Sequence, residues 1–425
     1  MPVKPLTLAA VGCGSRVRTY TKYAALLPDR YQVVAAADPN PTRLRLMEAL
    51  VPAGSLRTFA SDRDLFAAGK LADILMIGTQ DAYHVQPCIE AMRLGYDVLL
   101  EKPIATNFAE VRALELEARR LGRRVMVCHV LRYTPFYTTV KSLLESGAIG
   151  TIATINAVEG VAPFHQAHSF VRGHWGVVEE SSPMIIAKCC HDLDIISWLA
   201  DSSCTHVSSF GSLYYFNAGN APAGAPARCT DGCPVAASCF YDAHRYLGDQ
   251  RHWLQWVFDG GVEADDESVR QWLRTSPWGR CVYHCDNTAV DRQTVNLTFA
   301  NHITANLTMT AFDSGRSLEI RGTEGVLLGG EAVKRLSGHD ITITRHRDGK
   351  TEYHDIKIEE GEFAGHGGGD FGLMNALDHE WQKPNSADMR SSLERSVESH
   401  AMGFAAEEAR LNGGVVDLTE YRQRG

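Results

Sequence analysis

The sequence predicts an α/β protein in which an N-terminal, doubly wound parallel sheet is followed by a second, larger α/β domain. Three observations lead to this prediction. An apolar run at residues 6–11 passes through two glycines into a segment that favours a helix. Short apolar runs and helix-like segments then alternate as far as residue 126, as β-α units do. Beyond residue 290 the pattern changes to strands of alternating apolar and polar residues.

The composition is that of an ordinary globular protein and excludes several functional classes. The chain has 425 residues, of which 44% are hydrophobic and 22% charged, enough for two or three domains. Acidic residues outnumber basic ones, 51 to 42, which argues against nucleic acid as a partner. No apolar run approaches the roughly 20 residues of a membrane span, and the chain enters its first strand without a signal peptide. We therefore expect a cytoplasmic protein without a membrane partner.

The glycines after the first apolar run are typical of a turn that binds a dinucleotide. Gly12 and Gly14 precede a helix-like segment, so backbone N–H groups and the positive end of the helix meet at one point that suits a pyrophosphate. The second apolar run, residues 31–37, ends in Asp38, whose carboxylate can accept hydrogen bonds from both ribose hydroxyls. Because that carboxylate would repel a 2′-phosphate, we expect NAD rather than NADP. A tight turn in another α/β protein is the alternative interpretation of the glycines.

One position departs from the dinucleotide fingerprint. The fingerprint has Gly or Ala at its third small position, where the helix packs closely on the strand. This chain has Val17 there. We therefore expect the larger side chain to push the first helix slightly away from the first strand.

The rest of the first domain alternates between strand-like and helix-like segments. The strand-like runs are residues 72–78, 97–100 and 124–127, and the helix-like segments are residues 42–50, 63–68, 85–94 and 108–119. Because ligands of doubly wound sheets bind at the carboxyl ends of the strands, residues near those ends are candidates for contact with the cofactor. The candidates are Gly12, Gly14, Ser15, Arg16, Asp38, Thr79, Gln80, His84, Glu101, Lys102 and His129.

Glu101, Lys102 and Pro103 follow the run at residues 97–100 and indicate chemistry at this edge of the sheet. A proline biases the preceding residue toward an extended conformation, which would hold Lys102 at the rim of the nucleotide crevice. An ammonium there can hydrogen-bond a substrate hydroxyl, and a desolvated one can shuttle a proton. A surface lysine before a turn is the alternative, and the position at a strand end of this sheet argues against it.

These motifs resemble the Gfo/Idh/MocA family, whose namesakes are glucose–fructose oxidoreductase and inositol dehydrogenase. The matching segments are the Gly12/Gly14 turn, ADPNP with Asp38, EKP with Lys102, RYTP with Arg132 and HDLD with His191. The resemblance covers residues 5–410. It implies a Rossmann domain at residues 1–126 and an α/β domain at residues 127–425, whose open, mostly antiparallel sheet often forms an oligomer interface.

The resemblance also implies reversible hydride transfer between nicotinamide and a hydroxyl carbon of a sugar or cyclitol, with Lys102 and His191 as catalytic residues. Oxidising a secondary alcohol removes a hydride and a proton, so a base must contact the hydroxyl. His191 titrates in a suitable range. We expect residues 181–199 to form one helix, on which Lys188, His191 and Asp194 step by three and share a face.

The chain departs from the family pattern beside the catalytic histidine. The family commonly has an aspartate four residues before it, and this chain has Ala187 there, followed by Lys188. Two explanations stay open. Either Lys188, a further catalytic candidate, supplies a second charge in the site, or Asp192 or Asp194 orients His191.

The segment at residues 159–180 holds histidines, an arginine and a tryptophan without clear periodicity, next to the catalytic candidates. Such a segment is typical of a substrate wall, and a solvated loop is the alternative. The candidates for contact with substrate are Lys102, Arg132, Tyr133, Arg172, Trp175 and His191.

Cys229, Cys233 and Cys239 lie in an insert at residues 219–246 that is rich in Gly, Pro and Ala. Three cysteines so close together suggest a structural zinc site, with an iron–sulfur cluster as the second option. The spacing differs from the paired C-x2-C of common zinc modules, and free thiols packed in a loop are the alternative. A fourth ligand could come from Cys189, Cys190, Cys204, Cys281, Cys285 or His244.

The second domain is predicted to contain a strand meander with one polar face. Its strand-like runs are residues 151–158, 294–299, 303–310, 317–321, 325–328 and 340–344, and its helices are residues 138–146, 371–381 and 391–412. An exposed sheet face favours a homodimer or homotetramer. The HGGGD segment at residues 366–370 either approaches the active cleft or is a linker.

The leading hypothesis is an NAD-dependent dehydrogenase or reductase that acts on a sugar, a sugar derivative or a cyclitol. Two alternatives remain. Some relatives keep NAD bound and cleave a glycosidic bond by transient oxidation and elimination. Others are non-catalytic ligand-binding proteins, a reading that the missing aspartate favours and that Glu101, Lys102 and Pro103 oppose.

Overall fold

The computed structural model describes residues 4–358 and 361–424, and this part of the chain is built on two β-sheets. The strands of the first sheet are β1 (Leu6–Val11), β2 (Tyr31–Ala37), β3 (Arg57–Phe59), β4 (Ile74–Ile77), β5 (Asp97–Leu100) and β6 (Val125–Val127). All six are parallel, in the order β3-β2-β1-β4-β5-β6. The order reverses between β1 and β4, which opens a crevice at their carboxyl ends. The predicted doubly wound sheet is confirmed, and only the short edge strand β3 is additional.

Five helices cover this sheet, and local sequence sets their ends. They are α1 (Ser15–Ala25), α2 (Pro41–Glu48), α3 (Asp62–Ala67), α4 (Val85–Arg93) and α5 (Phe108–Leu121). Asn40 caps α2 by accepting a hydrogen bond from the Thr42 N–H, and Asn107 caps α5 through the Glu110 N–H. α5 ends at Gly122, whose φ of 61° is left-handed.

Val17 on α1 fills space that a glycine leaves free at the end of β4. The side chain of Val17 is buried, and a Cβ added to Gly78 would lie 2.6 Å from Cγ2 of Val17. The bulk that the dinucleotide fingerprint excludes at position 17 is therefore accommodated by the absence of a side chain at position 78.

We expect Gly78→Ala to lower the free energy of unfolding by about 1–3 kcal/mol, because the new methyl group overpacks against Val17. Adding Val17→Ala should recover part of this loss, so that the double variant is more stable than the sum of the single changes predicts. Gly14→Ala is the control, since its Cβ would meet only the Gly78 carbonyl oxygen, at 3.8 Å. Urea denaturation measures the unchanged protein, both single variants, the double variant and the control, and additive losses would contradict the compensation.

The second sheet is mixed and has nine strands. They are β7 (Ile152–Val161), β8 (Cys204–Ser212), β9 (Arg292–Phe299), β10 (Thr304–Thr310), β11 (Ser314–Gly322), β12 (Gly325–Gly330), β13 (Ile341–Arg345), β14 (Thr351–His354) and β15 (Val415–Asp417). Their order is β14-β13-β12-β11-β7-β10-β9-β8-β15. The β7–β10 pair is parallel and the other pairs are antiparallel. The predicted strands are present, and β8, β14 and β15 are additional.

The helices of the second half are α6 (Pro135–Glu145), α7 (Pro163–His165), α8 (Met184–Ala187), α9 (Cys190–Ala200), α10 (Leu254–Val257), α11 (Asp266–Thr275), α12 (Glu331–Ser337), α13 (Gly369–Gln382), α14 (Leu393–Asn412) and α15 (Leu418–Tyr421). Single helical turns lie at Asp81–Tyr83, Val130–Tyr133, Val178–Glu180, Ala218–Asn220, Ala243–Leu247, Arg251–Trp253, Gly261–Glu263, Pro277–Gly279 and Ser386–Asp388, with a π-helix at Gln166–Val171 and a kinked stretch at Gly361–Gly368. The prediction of one helix at residues 181–199 is wrong, because the chain breaks between α8 and α9 at Lys188 and Cys189.

The C-terminal helices join the two sheets. Leu373, Met374 and Leu377 of α13 lie in the same apolar core as Leu8 and Ala10 of β1. α14 packs on both α5 and α9. The segment before α13 is therefore carried to the crevice of the first sheet. Among the residues described, no helix is long and apolar enough to cross a lipid bilayer.

Candidate active site

The turn after β1 is a tight backbone cradle at the crevice. Gly12 has a φ of +81°, and a Cβ there would lie 2.7 Å from the carbonyl atoms of Gly78 and from the Thr79 nitrogen. Any other residue would therefore fill the space beside the first turn of α1, where Gly14 and Ser15 are partly exposed. This geometry fits a pyrophosphate held by backbone N–H groups at a helix start.

Asp38 is held rigidly at the end of β2. Its Oδ2 accepts a hydrogen bond of 2.7 Å from the Cys13 N–H, and its Oδ1 accepts one of 2.8 Å from the Asn40 N–H. Arg43 Nη1 lies 3.7 Å from Oδ2. Each carboxylate oxygen keeps capacity to accept one more hydrogen bond, as an adenosine ribose requires.

Glu101 and Arg16 bind each other instead of pointing freely into the crevice. Oε1 of Glu101 accepts hydrogen bonds from Arg16 Nε at 3.0 Å and from the Tyr20 hydroxyl at 2.5 Å, and Oε2 accepts one from the Lys102 N–H at 3.1 Å. Glu101 thereby fixes the backbone of Lys102. The other side of the Arg16 guanidinium meets Asp370 of α13.

His84, which was predicted to contact the cofactor, is held between two backbone carbonyl groups. Its ring is 1% exposed and lies between two carbonyl oxygens, with Nδ1 2.7 Å from that of Pro103 and Nε2 3.2 Å from that of Thr79. It therefore ties the chain after β4 to the chain after β5. Gln80, next to Thr79, is exposed as expected.

Lys102 and His191 approach the same region from the two sheets. Nζ of Lys102 donates a hydrogen bond of 3.2 Å to the carbonyl oxygen of Ala187, at the end of α8, and His191 lies in the first turn of α9. Burial, and then the positive charge of Lys102, hold the pKa of His191 well below its usual range. The imidazole is therefore neutral near pH 7 and able to accept a proton.

His129, which was predicted to contact the cofactor, is buried next to His191. It is fully buried, and its ring lies edge-on to those of His191 and His400, with centroids 5.6 Å and 5.9 Å away. Nδ1 of His191 is buried and finds no hydrogen-bond partner within the described residues.

Neither aspartate of α9 orients His191. Asp192 accepts hydrogen bonds from Arg316 of β11, at 2.7 Å and 3.3 Å, and Asp194 forms two hydrogen bonds with Arg132. Both carboxylates are therefore bound by arginines. The role of the missing aspartate is not taken over by either residue.

The ammonium of Lys188 is neutralised by a carboxylate from β7. Nζ of Lys188 lies 3.1 Å from Oε1 of Glu159, and Nε of Arg316 lies 2.9 Å from Oε2 of the same residue. Lys188 thus belongs to a buried cluster of two cations and two carboxylates. Its charge is balanced there, which makes it a weaker catalytic candidate than Lys102.

Arg132 and Tyr133, which were predicted to contact the substrate, both bind buried partners within the protein. Arg132 is 1% exposed and forms hydrogen bonds of 2.7 Å and 2.8 Å with Asp194. The Tyr133 hydroxyl is buried against Oγ of Ser391, 3.1 Å away. Their partners lie far along the chain, so the motif alone does not reveal this role.

Arg172 and Trp175 border a cleft of about 470 Å³ between the end of β4 and the second domain. Nε1 of Trp175 donates a hydrogen bond of 2.9 Å to Asp81 across this cleft. The Arg172 guanidinium instead turns inward, donating to the carbonyl oxygens of Arg280 and Tyr241. Trp175 is therefore the better placed of the two to form a wall of the cleft.

The cysteine insert does not support the predicted zinc site. Within residues 4–358 and 361–424, no three His, Cys, Asp or Glu side chains are arranged to hold a metal ion, so Cys233 and Cys239 lack a ligand set. Cys229 accepts a hydrogen bond from Arg172 at 3.6 Å, and Cys285 donates to the Cys281 carbonyl at 3.3 Å. Burial raises the pKa of the Cys285 thiol to about 11.

His366 is the site residue that the sequence left unassigned. Its ring centroid lies 6.3 Å from that of His191, and its Nδ1 lies 2.9 Å from Oδ2 of Asp370. The HGGGD segment therefore approaches the active cleft. The signal in the sequence was a histidine four residues before an aspartate, flanked by glycines.

Comparison with known proteins agrees with this geometry. Residues 6–129 match the model of the Gfo/Idh/MocA oxidoreductase family with an NAD-binding Rossmann fold, and residues 137–328 match a Gfo/Idh/MocA C-terminal domain. YteT of Bacillus subtilis, which is named an oxidoreductase, is 24% identical over 269 residues, 61% of each chain. Inositol 2-dehydrogenase 2 of Saccharopolyspora erythraea is 28% identical over 199 residues, 46% of this chain and 53% of that one. The match therefore spans only about half to three fifths of these relatives.

Solved structures share the fold over nearly the whole chain. An oxidoreductase from Agrobacterium radiobacter in complex with NAD+, L-tartaric acid and magnesium has a TM-score of 0.69 at 16% identity, covering 98% of this chain and 99% of that one. Scyllo-inositol dehydrogenase from Lactobacillus casei, with bound NAD(H) and scyllo-inositol, has a TM-score of 0.65 at 16% identity, covering 98% and 100%. At this identity the likeness shows the fold alone.

Proposed function

Because the chain belongs to the Gfo/Idh/MocA oxidoreductase family, we propose that it transfers a hydride between NAD and a hydroxyl carbon of a sugar, sugar derivative or cyclitol. One observation carries this proposal. The Lys102 ammonium from the first sheet and the His191 imidazole from the second domain approach one region beside the Gly12 turn. A cation and a neutral base are what the oxidation of an alcohol needs.

Different residues of the site would bind the cofactor, polarise the reacting oxygen and accept the proton. When bound, NAD supplies the hydride acceptor. The Gly12 turn and Asp38 would hold its pyrophosphate and adenosine ribose. Lys102 would donate a hydrogen bond to the reacting oxygen, which stabilises negative charge as the proton leaves. His191 would take that proton, since its imidazole is neutral near pH 7.

The cofactor preference can be tested at Asp38. We expect Asp38→Ala to weaken NAD binding by about 10- to 100-fold, because hydrogen bonds to a charged group contribute about 1.5–3 kcal/mol. NADP binding should improve, since Arg43 would lose its carboxylate neighbour and could pair with the 2′-phosphate. Isothermal titration with each cofactor measures the ratio of the two affinities.

The control for this change is the double variant Asp38→Ala/Arg43→Ala. It should lose the improved affinity for NADP, and its affinity for NAD should stay low. The melting temperature must be followed, because Asp38 also accepts two backbone hydrogen bonds. An unchanged ratio of NAD to NADP affinity in a folded Asp38→Ala protein would contradict this role.

The proposed activity is tested by titrating the protein with NADH and then assaying NAD reduction with a panel of sugars, sugar acids and cyclitols. We expect quenched protein fluorescence and turnover of at least one polyol. Glycoside cleavage without a net change in NADH absorbance would instead indicate transient oxidation and elimination. Binding without any turnover would indicate a ligand-binding protein, and absence of binding would refute the proposal.

We also propose that the chain forms a homodimer or homotetramer through the second sheet. The outer face of β8 carries Phe210, whose side chain is 69% exposed, and Tyr214 follows at 61%. Large apolar groups on an open sheet favour burial against a second copy. Light scattering of the purified protein measures the assembly.

A further inference from the structure

His366 forms a histidine–carboxylate pair with Asp370, four residues later in the chain. Nδ1 of His366 lies 2.9 Å from Oδ2 of Asp370, which is buried in the first turn of α13. The intervening glycines allow this return, since Gly367 and Gly368 have φ values of +64° and +85°. The segment is therefore shaped to place an imidazole on one particular carboxylate.

Asp370 is held in its charged form by a second partner. Arg16 of α1 donates hydrogen bonds of 3.0 Å and 2.6 Å to its two oxygens. Burial alone would raise the pKa of Asp370, but the hydrogen bonds from His366 and Arg16 outweigh it and hold that pKa well below its usual range. The carboxylate is thus a fixed negative charge beside Nδ1 of His366, which also lies 3.3 Å from Nη1 of Arg16, and it stabilises an imidazolium at this position.

His366 and His191 are the outer and inner members of a pair. Their ring centroids are 6.3 Å apart, and the His366 side chain is 41% exposed, whereas His191 is 4% exposed. His191 has no carboxylate of its own, because Asp192 and Asp194 are bound by arginines. Among the described residues of this site, His366 is therefore a histidine that both contacts a carboxylate and reaches solvent.

We propose that His366, oriented by Asp370, relays the proton of the reaction between His191 and solvent. This inference rests on the proposed function. With NAD bound to accept the hydride, the hydroxyl proton would pass to His191 as the alcohol C–O bond becomes a carbonyl. His191 then passes a proton to His366, which releases it to water, so that one alcohol and NAD yield one carbonyl, NADH and a proton. The reverse reaction uses the same relay inward.

The groups that face His366 set the sign of the pH dependence. They are Asp370 of α13, Arg16 of α1, His191 of α9 and Lys188 at the α8–α9 junction. Desolvation of the part of the ring that packs against the protein, and then Arg16 and Lys188, lower the pKa of His366, while Asp370 opposes this. Alcohol oxidation should therefore rise with pH through a midpoint below the usual histidine range, where His366 becomes able to accept a proton.

The relay is tested with His366→Gln in the full-length protein. We expect kcat for alcohol oxidation to fall about 100-fold, as removal of an acid–base group does, with NADH affinity unchanged. The pH dependence assigned to His366 should disappear, and added imidazole should restore part of kcat. His379→Gln is the matched control, because His379 is an exposed histidine on α13 away from the site, and its variant should keep the full rate.

Each outcome separates the relay from the proposed function. If the unchanged protein oxidises a polyol and His366→Gln does so at the same rate and with the same pH profile, the relay is wrong and the function stands. If the unchanged protein binds no NADH and oxidises no polyol, both are wrong.

Nitrogen NMR of labelled histidines gives a readout that does not depend on turnover. We expect His366 to carry its proton on Nδ1, and Asp370→Asn to shift its titration. If both ring nitrogens of His366 share the proton, and Asp370→Asn leaves the titration of the ring unchanged, then Asp370 does not orient His366, even if the enzyme is active.

Discussion

Replacement of Lys102 by alanine is expected to lower kcat by about 1000-fold, within the range that an acid–base group contributes, while NADH affinity stays close to that of the unchanged protein. The reason is the state of its ammonium. Among the described residues no carboxylate lies within 4.0 Å of Nζ, which donates only to the Ala187 carbonyl oxygen. Since an ammonium has three N–H donors, a substrate hydroxyl can accept a second hydrogen bond while the Ala187 carbonyl keeps the first. Steady-state kinetics and NADH titration measure the two quantities.

Two lysines serve as comparisons for Lys102→Ala. Lys70→Ala is the matched control, because Nζ of Lys70 also donates to a backbone carbonyl, that of Gly95, at 2.7 Å on the exposed surface. It should keep the full rate. Lys188→Ala should cost less activity than Lys102→Ala, since Glu159 already neutralises Lys188. Equal losses for Lys102→Ala and Lys188→Ala would contradict the assignment of the reacting cation to Lys102.

Lys102→Arg separates charge from proton transfer. Arginine keeps the positive charge, but its guanidinium does not release a proton and is larger than an ammonium. If Lys102 acts only as a fixed cation, Lys102→Arg should recover most of kcat. We expect little recovery, because the ammonium must fit between the Ala187 carbonyl and the substrate oxygen.

The first sheet could be predicted from the sequence because each of its signals is local. The runs that became β1, β2, β4, β5 and β6 are mostly apolar, as is typical of strands buried on both faces. The φ of +81° at Gly12 can likewise be expected from the sequence, because glycine adopts positive φ values readily. By contrast, β3 and β15 have three residues each and carry no periodicity. They form because β2 and β8 each have a side on which a further strand can pair by backbone hydrogen bonds.

The site was predicted less completely, because side-chain direction depends on partners distant in sequence. His84, Arg132 and Tyr133 follow strand or helix ends as expected, but each turns inward. Arg132 does so because Asp194, 62 residues later, needs a cation in a buried position. The break between α8 and α9 has a similar origin, since Lys188 turns to meet a carboxylate on β7.

His366 is a functional candidate whose position in the site could not be predicted from the sequence. The contact between His366 and Asp370 is local and could be read from their spacing of four residues. The contact of Asp370 with Arg16 spans 354 residues and fixes the pair over the crevice. Only the packing of α13 on α1 turns a glycine-rich segment into part of the site.

Breaking the buried ion pair of Arg132 and Asp194 by a single substitution should give a large loss of unfolding free energy. We expect Arg132→Met to lower the free energy of unfolding by about 3–5 kcal/mol, because it leaves Asp194 as an uncompensated buried charge. Burial already raises the pKa of Asp194 even beside Arg132. Without Arg132 that pKa should rise further, so the loss should be greater at pH 8 than at pH 5, where protonation of the carboxyl removes the charge.

The double variant Arg132→Met/Asp194→Leu distinguishes charge from packing. It removes both charges, so it should be more stable than Arg132→Met and should lose the dependence on pH. Arg120→Met on α5, which breaks an exposed pair with Glu117, is the control and should change stability little. Urea denaturation at the two pH values measures each protein. Because Asp194 lies one turn after His191 on α9, Arg132→Met should also lower kcat, while a stable double variant with full activity would show that the pair serves folding alone.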